Sequence, residues 1–167
     1  MHSEANVRPD MKASWLLAGL LAIAYAVFAH YVSVVTDLGA WFGFILNVGI
    51  NTALALVFGR SLTGGRKPLV TKVAAMVHEE MSPALNRYTR QVTAAWTLFF
   101  IGSASVSAGL FFFAPIEAWS VFANILSLPL IGTMFLVENE VRKRTLPKRD
   151  QVGLVGTVRA VRAKFRR

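Results

Sequence analysis

The sequence contains no cysteine among its 167 residues, and it has only 9 acidic residues against 18 lysines and arginines. The absence of cysteine excludes disulfides, thiolate metal sites and every mechanism that uses a cysteine nucleophile. A net charge of +9 together with 54% hydrophobic residues is unusual for a soluble domain of this size. The composition therefore indicates a chain that divides into apolar segments in lipid and basic segments in water.

Four long stretches contain no charged side chain. Each is close to the roughly 20 helical residues needed to cross a hydrocarbon core of about 30 Å. The first is too long for a cleavable signal peptide and runs almost directly into the second. The sequence predicts an all-α membrane protein, with four transmembrane helices arranged as two hairpins and with amphipathic helices on the cytoplasmic surface. The predicted spans are 13–35, 38–58, 92–114 and 118–137.

The lysines and arginines are distributed very unevenly. All 18 lie outside the predicted spans and outside the two short turns, which carry only Asp37 and Glu117. Because cytoplasmic segments of membrane proteins are enriched in lysine and arginine, we expect both termini and the central loop to face the cytoplasm. The predicted segments are a cytoplasmic N-terminus (1–12), hairpin one (13–58), a cytoplasmic loop with an amphipathic helix (59–91), hairpin two (92–137) and a basic cytoplasmic tail with an amphipathic helix (138–167).

The two predicted hairpins share a sequence pattern. Trp41 and Trp119 each lie near the start of the second span of their hairpin, and each span is followed by a basic stretch that ends in proline, at Pro68 and Pro147. This similarity indicates duplication of one hairpin in the same orientation. Membrane helices also share interfacial tryptophans and basic ends without duplication, so both explanations stand.

One histidine and three asparagines lie inside the predicted spans: His30, Asn47, Asn51 and Asn124. Burying such groups in lipid without a hydrogen-bond partner is costly, so we expect them to face the bundle and to bond across helices. The alternative is a polar pocket that holds a ligand headgroup or relays protons, although no carboxylate lies within the spans to support it.

Two other features bear on helix packing. Gly39 and Gly43 have the four-residue spacing that lets helix backbones approach closely. Pro129 predicts a kink or a local loss of hydrogen bonds in the fourth span.

Two further segments have the pattern of amphipathic helices on a membrane surface. Residues 69–81 follow Pro68 and place apolar side chains at helical spacing, with Lys72 largely off that face. In the tail, an apolar series at 154–165 is surrounded by basic side chains that would bind anionic lipid headgroups. An acidic protein partner is the alternative for the tail. Its basic residues are Arg159, Arg162, Lys164, Arg166 and Arg167.

The stretch HEEMSPALNRYTRQ at 78–91 is the most chemically varied part of the chain. His78-Glu79 begins like the zinc-binding pattern H-E-x-x-H, but the second histidine is missing, so no metal site is assigned. No nucleophile elbow or phosphate-binding loop motif occurs, and no catalytic residue is assigned. We expect Ser82-Pro83 to end the surface helix and to begin the helix that leads into the third span.

Two interpretations of the charged residues in this stretch stay open. In the first, a glutamate of the surface helix pairs with an arginine at the base of the third span and latches the two helices together. In the second, a phosphate or carboxylate docks on the arginines and the tyrosine between them, with the histidine as an acid or base. The residues concerned are His78, Glu79, Glu80, Arg87, Tyr88 and Arg90.

The run PLVTKVAAMVHEEMSPALNRYTRQVTAAWTLFF at 68–100, with W-x-x-F-x-N-I-L from Trp119 and the basic end of the fourth span, resembles a family of small, uncharacterised bacterial inner-membrane proteins. The resemblance covers most of 40–147. Members are encoded among fatty-acid-like and polyketide-like synthesis genes, including aryl-polyene-type clusters, and are sometimes labelled ketosynthases. Ketosynthase condensation needs a cysteine thiolate, which this chain lacks, so the resemblance implies a role beside such a system rather than that reaction.

These observations together predict a non-enzymatic inner-membrane component that docks a lipid or polyketide synthesis system at the cytoplasmic face. Expected partners are anionic membrane lipids and an acidic carrier protein or synthesis enzymes. No cofactor, metal or nucleic acid is expected, and the oligomeric state is open. The alternatives are transport or flipping of an amphipathic, lipid-like product, and an acyl-transfer enzyme that uses His78 and its neighbouring glutamates.

Overall fold

The computed structural model describes residues 11–76 and 81–146, with side chains from Ser14 onward, and this part of the chain is helical without strands. Four helical stretches are long and apolar enough to cross a membrane: Ser14–Val35, Asp37–Ser61, Pro83–Phe113 and Ile116–Thr145. The all-α fold with four candidate spans is confirmed, and the chain is a multi-pass membrane protein. The helices are α1 (Met11–Val35), α2 (Asp37–Ser61), α3 (Leu69–Ala74), α4 (Pro83–Phe113), α5 (Ile116–Ser120), a π-helix (Val121–Leu126) and α6 (Ser127–Thr145).

The turn between α1 and α2 is a single residue, Thr36. Its hydroxyl donates to the Val32 carbonyl at 2.9 Å and accepts from the Gly39 amide at 3.1 Å, so it closes one helix and caps the next. A Cβ on Gly39 would lie 2.6 Å from the Thr36 hydroxyl oxygen and 2.7 Å from the Val32 carbonyl oxygen. The turn therefore requires glycine at position 39, and this residue serves the cap rather than helix packing.

The turn before the fourth span is set by Pro115. A proline disfavours helical backbone in the residue that precedes it, and Ala114 accordingly has φ −121° and ψ 167°. Helix α4 ends at Phe113 and α5 begins at Ile116, directly after the proline. The fourth span is thus separated from α4 by two residues.

The core near these turns forms around Trp119, which is fully buried. Its indole nitrogen donates to the Ser107 hydroxyl at 3.0 Å, and its ring contacts Phe111 edge-on at a centroid distance of 5.1 Å. A Cβ on Gly43 would lie 3.1 Å from the Trp119 ring, so this glycine lets α2 approach the indole closely. Of the predicted glycine pair, Gly43 is the one that serves contact between helices.

A second core cluster fills the opposite end of the bundle, where α2, α3, α4 and α6 meet. Phe58 and Phe135 pack against Trp96 from different helices, at ring centroid distances of 6.5 and 4.7 Å. Burying large aromatic surfaces supplies most of the packing here. The buried members of this cluster are Leu85, Tyr88, Val92, Trp96, Phe100 and Leu146.

The fourth span contains a π-helix just before Pro129, the residue at which the sequence predicts a kink or a local loss of hydrogen bonds. The irregular turns occupy Val121–Leu126, upstream of Pro129, and the Ser127 hydroxyl donates five residues back to the Phe122 carbonyl at 3.1 Å. Proline removes one amide donor and crowds the preceding turn, and a π-bulge is one way for a helix to accommodate that loss. The helical path continues through Pro129 to Thr145.

Helix α3 is shorter than the 69–81 helix that the sequence predicts, and both polar contacts and the packing of Val70 against the second core cluster attach it to the bundle. The Thr71 and Thr89 hydroxyls lie 2.7 Å apart, and the Val70 amide donates to the Thr93 hydroxyl at 3.3 Å. Val73 and Met76, two members of the predicted apolar face, are 38% and 46% exposed. The helix begins after Pro68 as expected and ends at Ala74, and residues 77–80 lie outside the described part.

The buried position of Trp119 gives a test of this packing. Replacing Trp119 with alanine removes a buried indole and its hydrogen bond, so we expect a loss of about 3–5 kcal/mol in the free energy of unfolding of the purified chain in detergent. Trp15→Ala is the matched control, because Trp15 is 77% exposed on α1 and its loss should cost within about 0.5 kcal/mol. Equal effects of the two substitutions would contradict the described core.

Candidate functional site

The described lysines and arginines from α2 onward gather at one end of the bundle. The ends of α2 and α6, the loop 62–68, α3 and the start of α4 meet there, while Asp37 and Glu117 lie beside the turns at the opposite end. The cations are Arg60, Arg66, Lys67, Lys72, Arg87, Arg90, Arg142, Lys143 and Arg144. We call this end the basic face.

A cleft of about 440 Å³ opens within the basic face, between the loop 62–68 with α3 on one side and the first turns of α4 on the other. This volume is in the range of small-ligand sites. Four exposed cationic side chains line it, together with the Asn86 amide, and we call it the basic cleft. Its lining residues are Arg66, Lys67, Pro68, Thr71, Ala75, Met81, Asn86, Arg87 and Arg90.

The loop that carries two of these cations is attached to the bundle at several points. Gly64 and Gly65 have φ of 64° and 65°, a left-handed conformation that favours glycine. Beyond them, the Leu69 amide donates to the buried Ser61 hydroxyl at 2.9 Å. On the other side, an Arg90 guanidinium nitrogen lies 3.5 Å from the Leu62 carbonyl, at the limit of a hydrogen bond. The cations of the loop and of α4 are therefore held facing one another.

The carboxylates that the structure describes do not neutralise the basic cleft. Asp37 and Glu117 lie at the opposite end of the bundle. Glu138 pairs with Arg142 at 2.6 Å, and Glu140 pairs with Lys143 and Arg144 at 3.9 and 2.9 Å. Within 11–76 and 81–146, no carboxylate forms an ion pair with Arg66, Lys67, Arg87 or Arg90. The cleft is thus a concentration of positive charge that attracts anions.

Tyr88 lies between two of these arginines in sequence but points into the bundle. Its side chain is only 4% exposed, and its hydroxyl donates to the Glu138 carboxylate at 2.8 Å and lies 3.0 Å from the Glu138 backbone carbonyl. Arg142 donates to the same carboxylate through two nitrogens, at 3.0 and 2.6 Å. This cluster joins the base of α4 to α6. Tyr88 is consequently not part of the cation-lined surface that Arg87 and Arg90 form.

Glu138 is the residue that sequence reasoning missed. The predicted fourth span ends at Val137, and the sequence therefore places Glu138 in the basic tail. One signal was present: Glu138 and Arg142 have the i,i+4 spacing at which opposite charges pair on a helix. Its contact with Tyr88 joins residues 50 positions apart, and no local pattern predicts it.

Two of the predicted intramembrane polar residues form a network between α1 and the fourth span. His30 Nδ1 lies 2.9 Å from the Ser120 hydroxyl. The Asn124 amide donates to that hydroxyl at 3.0 Å and to the Ser33 hydroxyl at 3.4 Å. The His30–Ser120 and Asn124–Ser33 contacts join α1 to the fourth span, as expected for polar groups within a membrane bundle.

The other two predicted polar residues do not bond across helices in the way expected. Asn51 donates to the backbone carbonyl of Asn47 on its own helix at 2.9 Å. The side-chain oxygen of Asn47 is buried, with no hydrogen-bond partner among the described residues. The two asparagines share a face because of their spacing, but the Asn51 side chain bonds within α2 and the Asn47 side-chain oxygen bonds to no described residue.

Several predicted site residues fall outside the part of the chain that the structure describes. His78, Glu79 and Glu80 belong to the gap between Met76 and Met81. The tail residues Arg159, Arg162, Lys164, Arg166 and Arg167 follow the last described residue, Leu146. The described residues contain no group of three histidine, aspartate or glutamate side chains that could hold a metal ion.

Comparison of the chain with protein-family models, curated proteins and solved structures finds no match. The functional argument therefore depends on the chemistry of this chain alone.

The Tyr88 contact gives a second test. Tyr88→Phe removes the hydroxyl that donates to a buried carboxylate, and hydrogen bonds to charged groups contribute about 1.5–3 kcal/mol, so we expect a loss of that size in the free energy of unfolding in detergent. Tyr31→Phe is the matched control, because Tyr31 is 64% exposed and should tolerate the change to within about 0.5 kcal/mol. An unchanged stability in Tyr88→Phe would show that the cluster does not hold α4 and α6 together.

Proposed function

We propose that this chain is a non-enzymatic inner-membrane component whose basic face lies in the cytoplasm and docks an acidic component of a lipid or polyketide synthesis system. The observation that carries the proposal is the one-sided charge. The described cations from α2 onward lie at one end of a four-span bundle, and those of the basic cleft have no described carboxylate as a partner. Such a surface steers and holds acidic macromolecules.

The same charge distribution supports the proposed cytoplasmic orientation. Lysine and arginine flank the cytoplasmic ends of membrane spans, and here the two turns at the other end carry only Asp37 and Glu117. In a bacterial inner membrane, the proposed orientation has both termini and the loop between α2 and α4 in the cytoplasm, where synthesis enzymes and carrier proteins act.

The sequence resemblance supports the class of partner. Proteins of the family that the chain resembles are encoded beside fatty-acid-like and polyketide-like synthesis genes. Acyl carrier proteins of such systems are typically strongly acidic, and their carboxylates complement arginine and lysine side chains. Docking of this kind needs exposed cations, and the basic face supplies them.

Transport or flipping of an amphipathic product is the second candidate function. The observation that favours it is the polar network of His30, Ser33, Ser120 and Asn124, which joins α1 to the fourth span within the membrane. The network borders the π-helix Val121–Leu126, and π-bulges are frequent at functional sites. The same bonds also hold α1 against the fourth span, and this structural role alone would account for the polar residues.

Crosslinking in intact membranes tests the docking proposal. We expect the full chain to capture an acidic carrier protein or synthesis enzyme at low salt, and Arg60→Gln with Lys72→Gln to weaken capture about two- to thirtyfold, because exposed charge pairs contribute roughly 0.2–1 kcal/mol each. Both side chains are exposed on the basic face and outside the basic cleft.

Asp37→Asn with Glu117→Gln is the control for this experiment, because it alters two charges at the opposite end of the bundle. Its capture should equal that of the unmodified chain. Recovery of no carrier protein or synthesis enzyme at any salt concentration would refute the docking proposal.

A further inference from the structure

We propose that the basic cleft is a binding site for the headgroup of an anionic phospholipid, whose phosphate lies among Arg66, Lys67, Arg87 and Arg90. This inference goes beyond the docking function. It requires only that the chain spans a membrane, and it concerns a lipid rather than a protein partner. Three properties of the cleft support it: its position relative to the apolar spans, its construction from two facing elements, and four cations that pair with no carboxylate within 11–76 and 81–146.

The position of the cleft along the membrane normal matches the layer of lipid headgroups. The predicted apolar part of α4, which contains no charged residue, begins at Val92, two residues after Arg90 and five after Arg87. At about 1.5 Å of rise per helical residue, their backbones lie roughly 3 and 7.5 Å beyond the start of that apolar part. The polar headgroup layer extends about 5–8 Å beyond the hydrocarbon on each side of a bilayer. Both arginines are therefore at the level where lipid phosphates lie.

The construction of the cleft favours binding of one anionic group inside it over loose attraction of anions to the whole basic face. Arg66 and Lys67 come from the loop before α3, whereas Arg87 and Arg90 come from α4, so the cations approach the 440 Å³ space from two sides. The Thr71–Thr89 contact at 2.7 Å attaches the α3 side of the cleft to the α4 side. Because the two walls are already in position, a ligand need not order them, and preorganised sites bind more tightly.

The chemistry of the lining favours phosphate as the recognised group. Guanidinium side chains present several N–H donors in a fixed plane that matches phosphate oxygens, and the Asn86 amide adds further donors. The described part of the chain provides no carboxylate that pairs with the four cations, so an external anion would not have to displace any described carboxylate. Val73 on α3 and Met76, two residues after its end, are exposed and close in sequence to the lining residues Thr71 and Ala75, and they offer apolar contact to the acyl chains.

Native mass spectrometry of the purified full-length chain in detergent, titrated with phosphatidic acid, tests the site. We expect discrete binding of phosphatidic acid and much weaker binding of the zwitterionic phosphatidylcholine. Arg66→Gln with Arg87→Gln should weaken phosphatidic acid binding about fivefold for each cation removed. Arg66→Lys with Arg87→Lys keeps the charge and should recover most of the affinity, which separates loss of the site from loss of folding.

Lys143→Gln with Arg144→Gln is the charge-matched control, because it removes two cations of the basic face outside the cleft. It should leave the affinity of the chain for phosphatidic acid within about twofold of the unmodified value. The two side chains do not line the cleft, and salt screens the charge of exposed groups. An equal loss in this control, equal binding of phosphatidylcholine, or equal affinity for soluble glycerol 3-phosphate would each overturn the lipid site. The docking proposal would survive any of these results if the chain still captures its acidic partner.

Discussion

The arrangement of this protein depends on the exclusion of charge from the hydrocarbon core. A lysine, arginine or aspartate at the centre of a span costs about 2.5–3.5 kcal/mol on insertion scales. The four apolar stretches at 13–35, 38–58, 92–114 and 118–137 contain none of these residues. The described cations from Arg60 onward are thereby confined to the chain segments at one end, where the loop 62–68 and the start of α4 face each other. That confinement supplies the cations of the basic cleft.

Hydrogen bonding imposes a second condition, because polar groups in lipid have no water to bind. The Ser33 hydroxyl donates to the Ala29 carbonyl and the Thr97 hydroxyl to the Thr93 carbonyl, each on its own helix. Other polar groups join different helices, among them Trp119 with Ser107, His30 with Ser120, and Tyr88 with Glu138. Such contacts fix which helices meet, while aromatic side chains fill the space between them.

The sequence predicts the spans well because hydropathy and charge are local properties. It also predicts the start of α4 at Pro83, where Ser82 caps the helix by accepting from the Leu85 amide. It does not predict the contacts of Tyr88, because an exposed and a buried tyrosine look alike in sequence and Glu138 is 50 residues away. The predicted 69–81 helix is longer than α3, which ends at Ala74, because the apolar spacing in the sequence continues past that residue. The contacts of Thr71 with Thr89 and of Val70 with Thr93 hold the first turns of the segment against α4, and spacing alone does not predict them. The basic cleft likewise depends on how the loop 62–68 returns to α4, which composition alone leaves open.

Single-cysteine labelling tests the central claim that charge sorts this chain into a cytoplasmic basic face and an acidic opposite end. The natural chain contains no cysteine, so one introduced thiol gives an unambiguous signal. With a membrane-impermeant maleimide added to intact spheroplasts, Glu117→Cys should be labelled, whereas Thr63→Cys should be labelled only after the membrane is opened. Labelling of Thr63→Cys from outside intact spheroplasts, with Glu117→Cys protected, would contradict the account.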